Sequence, residues 1–280
     1  MSELYKVSGG GNDFLALVEP EREPTAAEIV AWCARGLALG ADGVFVLRRS
    51  AAGARMDYWN SDGRPADLCI NGTRCAARLA LDRGWGEDRV VIETGAGPMA
   101  ARRAGATSIA LELPPPGNLP RATRVDLGSG RSVDGWFVSV GVPHFVVPWK
   151  GGLAGAPVAE LGAALRRHAI FAPAGTNVDF VAYPSSQRME VRSFERGVEA
   201  ETLACGTGVL ASVAVGLQLN LAQLPVSVLT LGGFELVVDG QTVDSVPARW
   251  TLAGDARVLA RVELLPDAAA AAPPPPRWTA

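Results

Sequence analysis

The chain has 280 residues, a formal net charge of −3, 48% hydrophobic residues and 32 glycines, which suits one large or two medium globular domains with buried cores and many turns. A pI near 5.5 with no clustered basic residues excludes a general nucleic-acid binder. No apolar run reaches the roughly 18–20 residues that cross a bilayer, so no membrane partner is expected. The N-terminal MSELYKVSGGGNDF lacks the basic and apolar regions of a signal peptide. A cytoplasmic location is therefore expected, in which Cys33, Cys69, Cys75 and Cys205 are free thiols.

In chain order, FLALV (14–18) and GVFVLRR (43–49) read as strands, and TAAEIVAWCARGLAL (25–39) has helical periodicity behind Thr25, a candidate N-cap. A second helix is expected after Gly72 (TRCAARLALDRG), stopped at Gly84, with strands following at RVVIET (89–94), PMAARR (98–103) and SIALEL (108–113). PPPGNLP (114–120) can continue neither a helix nor a central strand, which makes it the expected boundary between halves spanning 1–117 and 118–257. The second half replays the order of the first. A strand at 136–140, a helix at 156–169, strands at 177–183 and 189–194, a helix after Cys205 and strands at 226–231, 234–240 and 256–264 read as an internal duplication. Residues 267–280, rich in Ala and Pro, have the composition of a disordered tail.

The duplication carries one repeated motif. Cys69-Ile70-Asn71-Gly72 and Cys205-Gly206-Thr207-Gly208 each place a cysteine just before a small-residue helix. Free N–H groups and the dipole at a helix start favour negative charge, so a thiolate is expected to form more easily there. The amides of Asn71, Gly72, Gly206 and Thr207 are also placed to hold a substrate carboxylate, because glycines let an anion approach the backbone. Packing alone accounts for one such cysteine, as a small buried hydrophobe. It accounts poorly for two matching turns in matching positions, whereas Cys33 and Cys75 sit inside helices without such a turn and read as core.

Two thiols on opposite faces of an amino-acid α-carbon can invert it: a thiolate removes the proton and the opposing thiol delivers one. The carbanion is far more basic than a thiolate, so it needs helix-end amides in a site closed to water. Pyridoxal phosphate, the usual electron sink, needs a lysine, and neither Lys6 nor Lys150 lies beside an evident phosphate cradle. No cofactor is expected. No C-x-x-C spacing occurs and there are two histidines, His144 and His168, so no metal site is expected either. The competing readings are a Cys–His thiol hydrolase built on one cysteine and His144, which leaves the second turn unexplained, and a protein that only binds an amino acid.

The motifs KVSGGGNDF (6–14), GADGVFVL (40–47), NSDGRPADLCINGTRC (60–75), GVPHFVV (141–147), GTNVDFV (175–181) and ERGVEAETLACGTG (195–208) together resemble the diaminopimelate epimerase family. The resemblance implies an α/β fold of two pseudo-symmetric domains, each a curled mixed β-sheet around a central helix. It places the active site in the cleft between them and returns a last strand, about 258–266, to the first domain. It implies cofactor-independent interconversion of LL- and meso-diaminopimelate, on the route to lysine and peptidoglycan, in a homodimer. Cys69 and Cys205 match the catalytic pair. Asn12, Asn60 and Asn177 match substrate contacts, and Glu195 and Arg196 match residues facing the amino and carboxylate groups, the latter by a guanidinium fork. Asn71 with Gly72, and Gly206 with Thr207, match backbone donors, and His144 matches a histidine near the thiols.

Three positions depart from the family pattern: Ser8 replaces a histidine, Ile70 a glycine, and Val142 a substrate-contacting asparagine. Ile70 matters most, because a β-branched residue disfavours positive φ. Either the turn needs no unusual dihedral or the substrate has shifted, for example to another amino acid such as proline or histidine.

Overall fold

In this computed structural model, which describes residues 3–243 and 246–269, the chain divides into two compact units, Met1–Met99 with Ala256–Ala280 and Ala100–Asp255. The expected proline-stretch boundary at 117/118 lies inside the second unit. The strand before the prolines, Ser108–Leu113, pairs antiparallel with Val246–Asp255 (Trp250↔Leu113 through Asp255↔Ser108), and that non-local pairing fixes its membership. The expected tail over 267–280 lies, beyond Ala269, outside the described residues; Pro266–Ala269 is a 3-10 turn.

The first unit runs β1 (Glu3–Gly9), β2 (Asn12–Val18), α1 (Ala26–Cys33), β3 (Gly43–Ser50), β4 (Gly53–Asn60), β5 (Pro65–Ala66), α2 (Ile70–Asp82), β6 (Arg89–Thr94) and the start of β7 (Gly97–Arg103). The second holds β8 (Ser108–Leu113), β9 (Arg121–Gly128), β10 (Arg131–Val140), β11 (Val142–Pro148), α3 (Val158–Arg166), β12 (Asn177–Ser185), β13 (Arg188–Glu195), β14 (Ala200–Thr202), α4 (Gly206–Gln218), β15 (Val226–Thr230), β16 (Glu235–Val243) and β17 (Val246–Asp255). β18 (Arg257–Val262) belongs to the first unit, where it pairs antiparallel with β1.

The two units repeat one topology. In the first, β2 and β3 are parallel across α1, β3 and β4 antiparallel, and β4 and β6 parallel across α2. In the second, β11 and β12 are parallel across α3, β12 and β13 antiparallel, and β13 and β15 parallel across α4. α1 lays Ile29 and Trp32 on Leu15, Leu17, Val44 and Val46, and α3 lays Val158, Leu161 and Leu165 on Phe145, Val178 and Phe180. Burial of such side chains contributes roughly 1.5–3 kcal/mol each. α2 and α4 are buried on nearly every side. α2 packs against β1, β2, β3, β4, β6 and β18, and α4 against β10, β11, β12, β13, β16 and β17, so each sheet curls around its helix.

Local boundaries follow turn chemistry. Thr25 caps α1 in a reciprocal box with Glu28. The helix expected to continue to residue 39 stops at Cys33, because Ala34 is extended and Gly36 and Gly40 take positive φ (81° and 67°). The second helix starts at Ile70, so Asn71 and Gly72 form its first turn rather than preceding it. The strands β4, β5, β9, β11, β14 and β17 had no counterpart in the expected elements.

Candidate active site

Each unit presents the N-terminus of a buried 13-residue helix with a cysteine as its N-cap: Cys69 on α2 (φ −135°, ψ 105°) and Cys205 on α4 (φ −112°, ψ 109°). The extended backbone at each cap leaves the first-turn amides pointing outward. Ile70 occupies the first helical position, is 7% exposed and is absent from the residues with positive φ. Of the alternatives raised by its side chain, the first holds: this turn needs no unusual dihedral.

Around Cys69, Asn71 donates from Nδ2 to Asn12 Oδ1 (2.7 Å), and Asn12 donates from its own Nδ2 to Asp42 Oδ2 (3.0 Å). Asp42 Oδ2 also accepts the Asp13 N–H (3.1 Å). The fully buried guanidinium of Arg74 donates to Asn71 Oδ1 (2.6 Å). Gly10, at φ +59°, is required here because a Cβ would lie 3.0 Å from both Arg74 Nη2 and Asn71 Oδ1. The Tyr58 hydroxyl lies against Cys69 and donates to Oδ1 of the exposed Asn60 (3.1 Å). Burial first, and then the charge of Cys69, hold that phenol protonated far above the usual tyrosine range. Gly72 leaves room for the sulfur: a Cβ there would be 3.6 Å from Cys69 Sγ and 3.1 Å from Met56 Cε.

Around Cys205, Sγ accepts the Gly208 N–H at 3.4 Å and lies 3.5 Å from Thr207 Oγ1. Glu195, at the end of β13, accepts from the Thr202 hydroxyl and approaches Cys205. His144 and Asp179 are both 0% exposed and meet at 2.7 Å through Nδ1 and Oδ2, while Asp179 Oδ1 accepts from Ser193 Oγ at 2.6 Å. Asn177 accepts the Arg196 N–H on Oδ1 (2.8 Å), and the half-buried Arg196 donates from Nη1 to Ala174 O (3.0 Å). A Cβ at Gly208 would lie 2.2 Å from Asp179 Oδ1, so the carboxylate reaches the first turn of α4.

The electrostatics at Cys205 reverse the expectation of an easily formed thiolate. Burial first, then the charges of Glu195 and Asp179, push this thiol well above the usual cysteine range, against the smaller help of Thr207 and the Gly208 N–H. Half a helix-dipole charge does not outweigh desolvation and two carboxylates. Burial followed by Asp179 likewise raises Glu195 above the ordinary carboxyl range. Cys33, 5% exposed, is pushed up to about 11 by burial. His168 caps the short 3-10 turn Ala169–Phe171, accepting the Ile170 N–H at 3.3 Å.

Within the first unit the expected residues fall in two contact sets, Asn12 with Asn71 and Asn60 with Cys69 through Tyr58, with Gly72 in the first turn of α2; within the second, His144, Asn177, Glu195, Arg196, Cys205, Gly206 and Thr207 lie on β11, β12, β13 and the head of α4. Sequence reading missed Asp42, Tyr58, Arg74, Asp179 and Thr202. Asp179 did leave a signal: it is the lone charge in the otherwise uncharged strand β12. Of the family departures, Ser8 is buried and accepts from Arg257 Nη2 (3.3 Å), and Val142 opens β11 opposite Val140 across Gly141.

Solved structures share this fold of two curled mixed sheets, each wrapped on a buried helix. A probable proline racemase from Agrobacterium radiobacter has a TM-score of 0.69 at 17% identity, over 96% of both chains. A hydroxyproline epimerase from Agrobacterium vitis has a TM-score of 0.66 at 17% identity, over 93% of this chain and 91% of that one. A putative PhzC/PhzF phenazine biosynthesis protein from Clostridium difficile reaches 0.71 at 13% identity, over 95% and 100%. In sequence, the family model for diaminopimelate epimerase matches residues 4–109 and 136–251. The diaminopimelate epimerase of Aquifex aeolicus is 38% identical over 85% of this chain and 89% of its own length, and that of Gemmatimonas aurantiaca 35% identical over 93% and 98%. The chain belongs to the diaminopimelate epimerase family, and is an isomerase of the racemase and epimerase class acting on a small molecule. Among the described residues no helix is long and apolar enough to cross a membrane.

Proposed function

We propose that this enzyme interconverts LL- and meso-diaminopimelate without a cofactor, using Cys69 and Cys205 as the two proton carriers. The observation that carries the reading is the repeated one: two buried helices of equal length, in two units of one topology, each capped by a cysteine. In one direction a thiolate takes the α-proton, the C–H electron pair stays on carbon as a carbanion, and the opposing thiol protonates the other face to become the new thiolate. In the reverse direction the roles exchange. The first-turn amides of Asn71 and Gly72 and of Gly206 and Thr207 receive the reacting carboxylate, whose negative charge grows as the carbanion forms.

Asn12, Asn60 and Asn177 contact the substrate, and Glu195 with Arg196 takes its ammonium and carboxylate groups. Burial and the neighbouring carboxylates favour the protonated thiol at Cys205, which suits that residue to deliver the proton in one direction of the reaction. The proposed setting is lysine and peptidoglycan precursor synthesis in the cytoplasm, by a homodimer. Incubating the protein with LL-diaminopimelate in deuterated water tests the reading: meso product carrying one deuterium, at the inverted carbon, is expected. Inversion of proline or histidine without action on diaminopimelate would move the enzyme to another substrate, and hydrolysis of a thiol-sensitive ester needing Cys205 alone would replace the mechanism.

A further inference from the structure

Asn177 stands at the start of β12 with its side-chain amide held by backbone on two sides. Oδ1 accepts the Arg196 N–H at 2.8 Å and Nδ2 donates to Pro143 O at 3.3 Å. Those partners admit one orientation of the amide, because a carbonyl cannot donate and an N–H cannot accept. Nδ2 therefore turns an N–H toward His144 Nε2, 3.5 Å away. On the other side of the ring, Nδ1 faces Asp179 Oδ2 at 2.7 Å, and the second oxygen of Asp179 is held by Ser193 Oγ at 2.6 Å. A carboxylate only accepts, so Nδ1 carries the proton. Nε2, opposite an N–H, carries the lone pair.

We infer that Asp179 is a positioning residue: it fixes His144 as the neutral Nδ1–H tautomer and, through the ring, fixes the Asn177 amide and the Arg196 backbone that it holds. His144 is then a link in a buried chain, Ser193–Asp179–His144–Asn177–Arg196, and carries no proton in turnover. Its ring is 0% exposed, and both nitrogens are committed to partners inside the unit. The titratable groups that bear on the ring are Asp179 of β12 and Glu195 of β13, with the Cys205 thiol at the head of α4 beside the same two carboxylates. The tautomer stands on geometry alone; its effect on turnover rests on the epimerase reading above.

Two-bond 1H–15N correlation on the labelled full-length protein at neutral pH reads the tautomer directly. The chain has two histidines, and His168→Gln assigns the spectrum. Protonated Nδ1 and bare Nε2 on His144 are expected; Nε2–H, or both nitrogens protonated, overturns the inference whatever the enzyme's substrate proves to be. In Asp179→Asn the Nε2–H form should gain population and KM for diaminopimelate should rise about tenfold or more. An unchanged KM would contradict the role; kcat does not discriminate, because the same substitution removes a charge that bears on the Cys205 thiol. Should Asp179→Asn fail to fold, Ser193→Ala, which frees one oxygen of Asp179, must give the same change of tautomer in weaker form. An unaltered wild-type ratio there also overturns the inference.

Discussion

The heads of α2 and α4 share length, cap residue and topology, yet their chemical surroundings diverge. At Cys69 the neighbours are a buried phenol, an Asn71–Asn12–Asp42 relay and the Arg74 guanidinium, whereas at Cys205 they are Glu195 and Asp179 with a buried histidine between sheet and helix. The repeated fold places each thiol at a helix head, and the side chains around the two heads differ. In the proposed two-base reaction each diastereomer needs a thiolate on the face that bears its α-hydrogen and a thiol on the other, so reversal requires the two cysteines to exchange protonation states.

The largest expected effect tests whether both helix heads are needed. Cys69→Ser and Cys205→Ser should each lower kcat for epimerisation by about 10³-fold, within the span ascribed to general acid–base groups. A variant retaining a tenth of the wild-type rate would show that its cysteine is dispensable. Glu195→Gln removes one of the carboxylates that distinguish the two heads. It should cost about 10²-fold in kcat/KM and shift alkylation of Cys205, followed by mass spectrometry, to lower pH, since a lost negative charge favours the thiolate. An unmoved or higher alkylation midpoint would contradict the electrostatic account.

Smaller effects sharpen the comparison through stability. In Gly208→Ala the new Cβ meets Asp179 Oδ1 at 2.2 Å, and that carboxylate is pinned by His144 and Ser193, so a loss of about 1–3 kcal/mol is expected in denaturant unfolding. Gly72→Ala meets only the flexible Met56 terminus at 3.1 Å and should cost less than about 1 kcal/mol. A reversed order would mean that the head of α4 is looser than its contacts imply. The smallest effect is alkaline. Because folding raises the Cys205 thiol above its ordinary value near 9, the unfolded chain loses its proton first. That contribution to stability is full below pH 9 and declines as pH climbs above it, and Cys205→Ser should flatten the decline.

Much of this was legible from local signals. Thr25 announced the start of α1, and the two Cys-x-x-Gly stretches announced the helices that carry the candidate site. What escaped depended on distant partners. β9 reads as RATRVDLG, a charged segment that becomes a strand only by pairing with β10, and the break between units follows from β8 pairing with β17 over a hundred residues on. Asp179 looked like one acid in an apolar strand until His144, thirty-five residues earlier, came alongside it. The helix-dipole expectation for Cys205 failed for the same reason, because the carboxylates that oppose it come from β12 and β13.

One thiol per face of the α-carbon is the claim on which the mechanism turns, and α-proton exchange in the single-cysteine variants tests it most directly. In deuterated water, Cys69→Ser and Cys205→Ser should each wash deuterium into one diastereomer of diaminopimelate without inverting it, and the two variants should select opposite diastereomers. Exchange of the same diastereomer by both variants, or full inversion by either, would contradict the account.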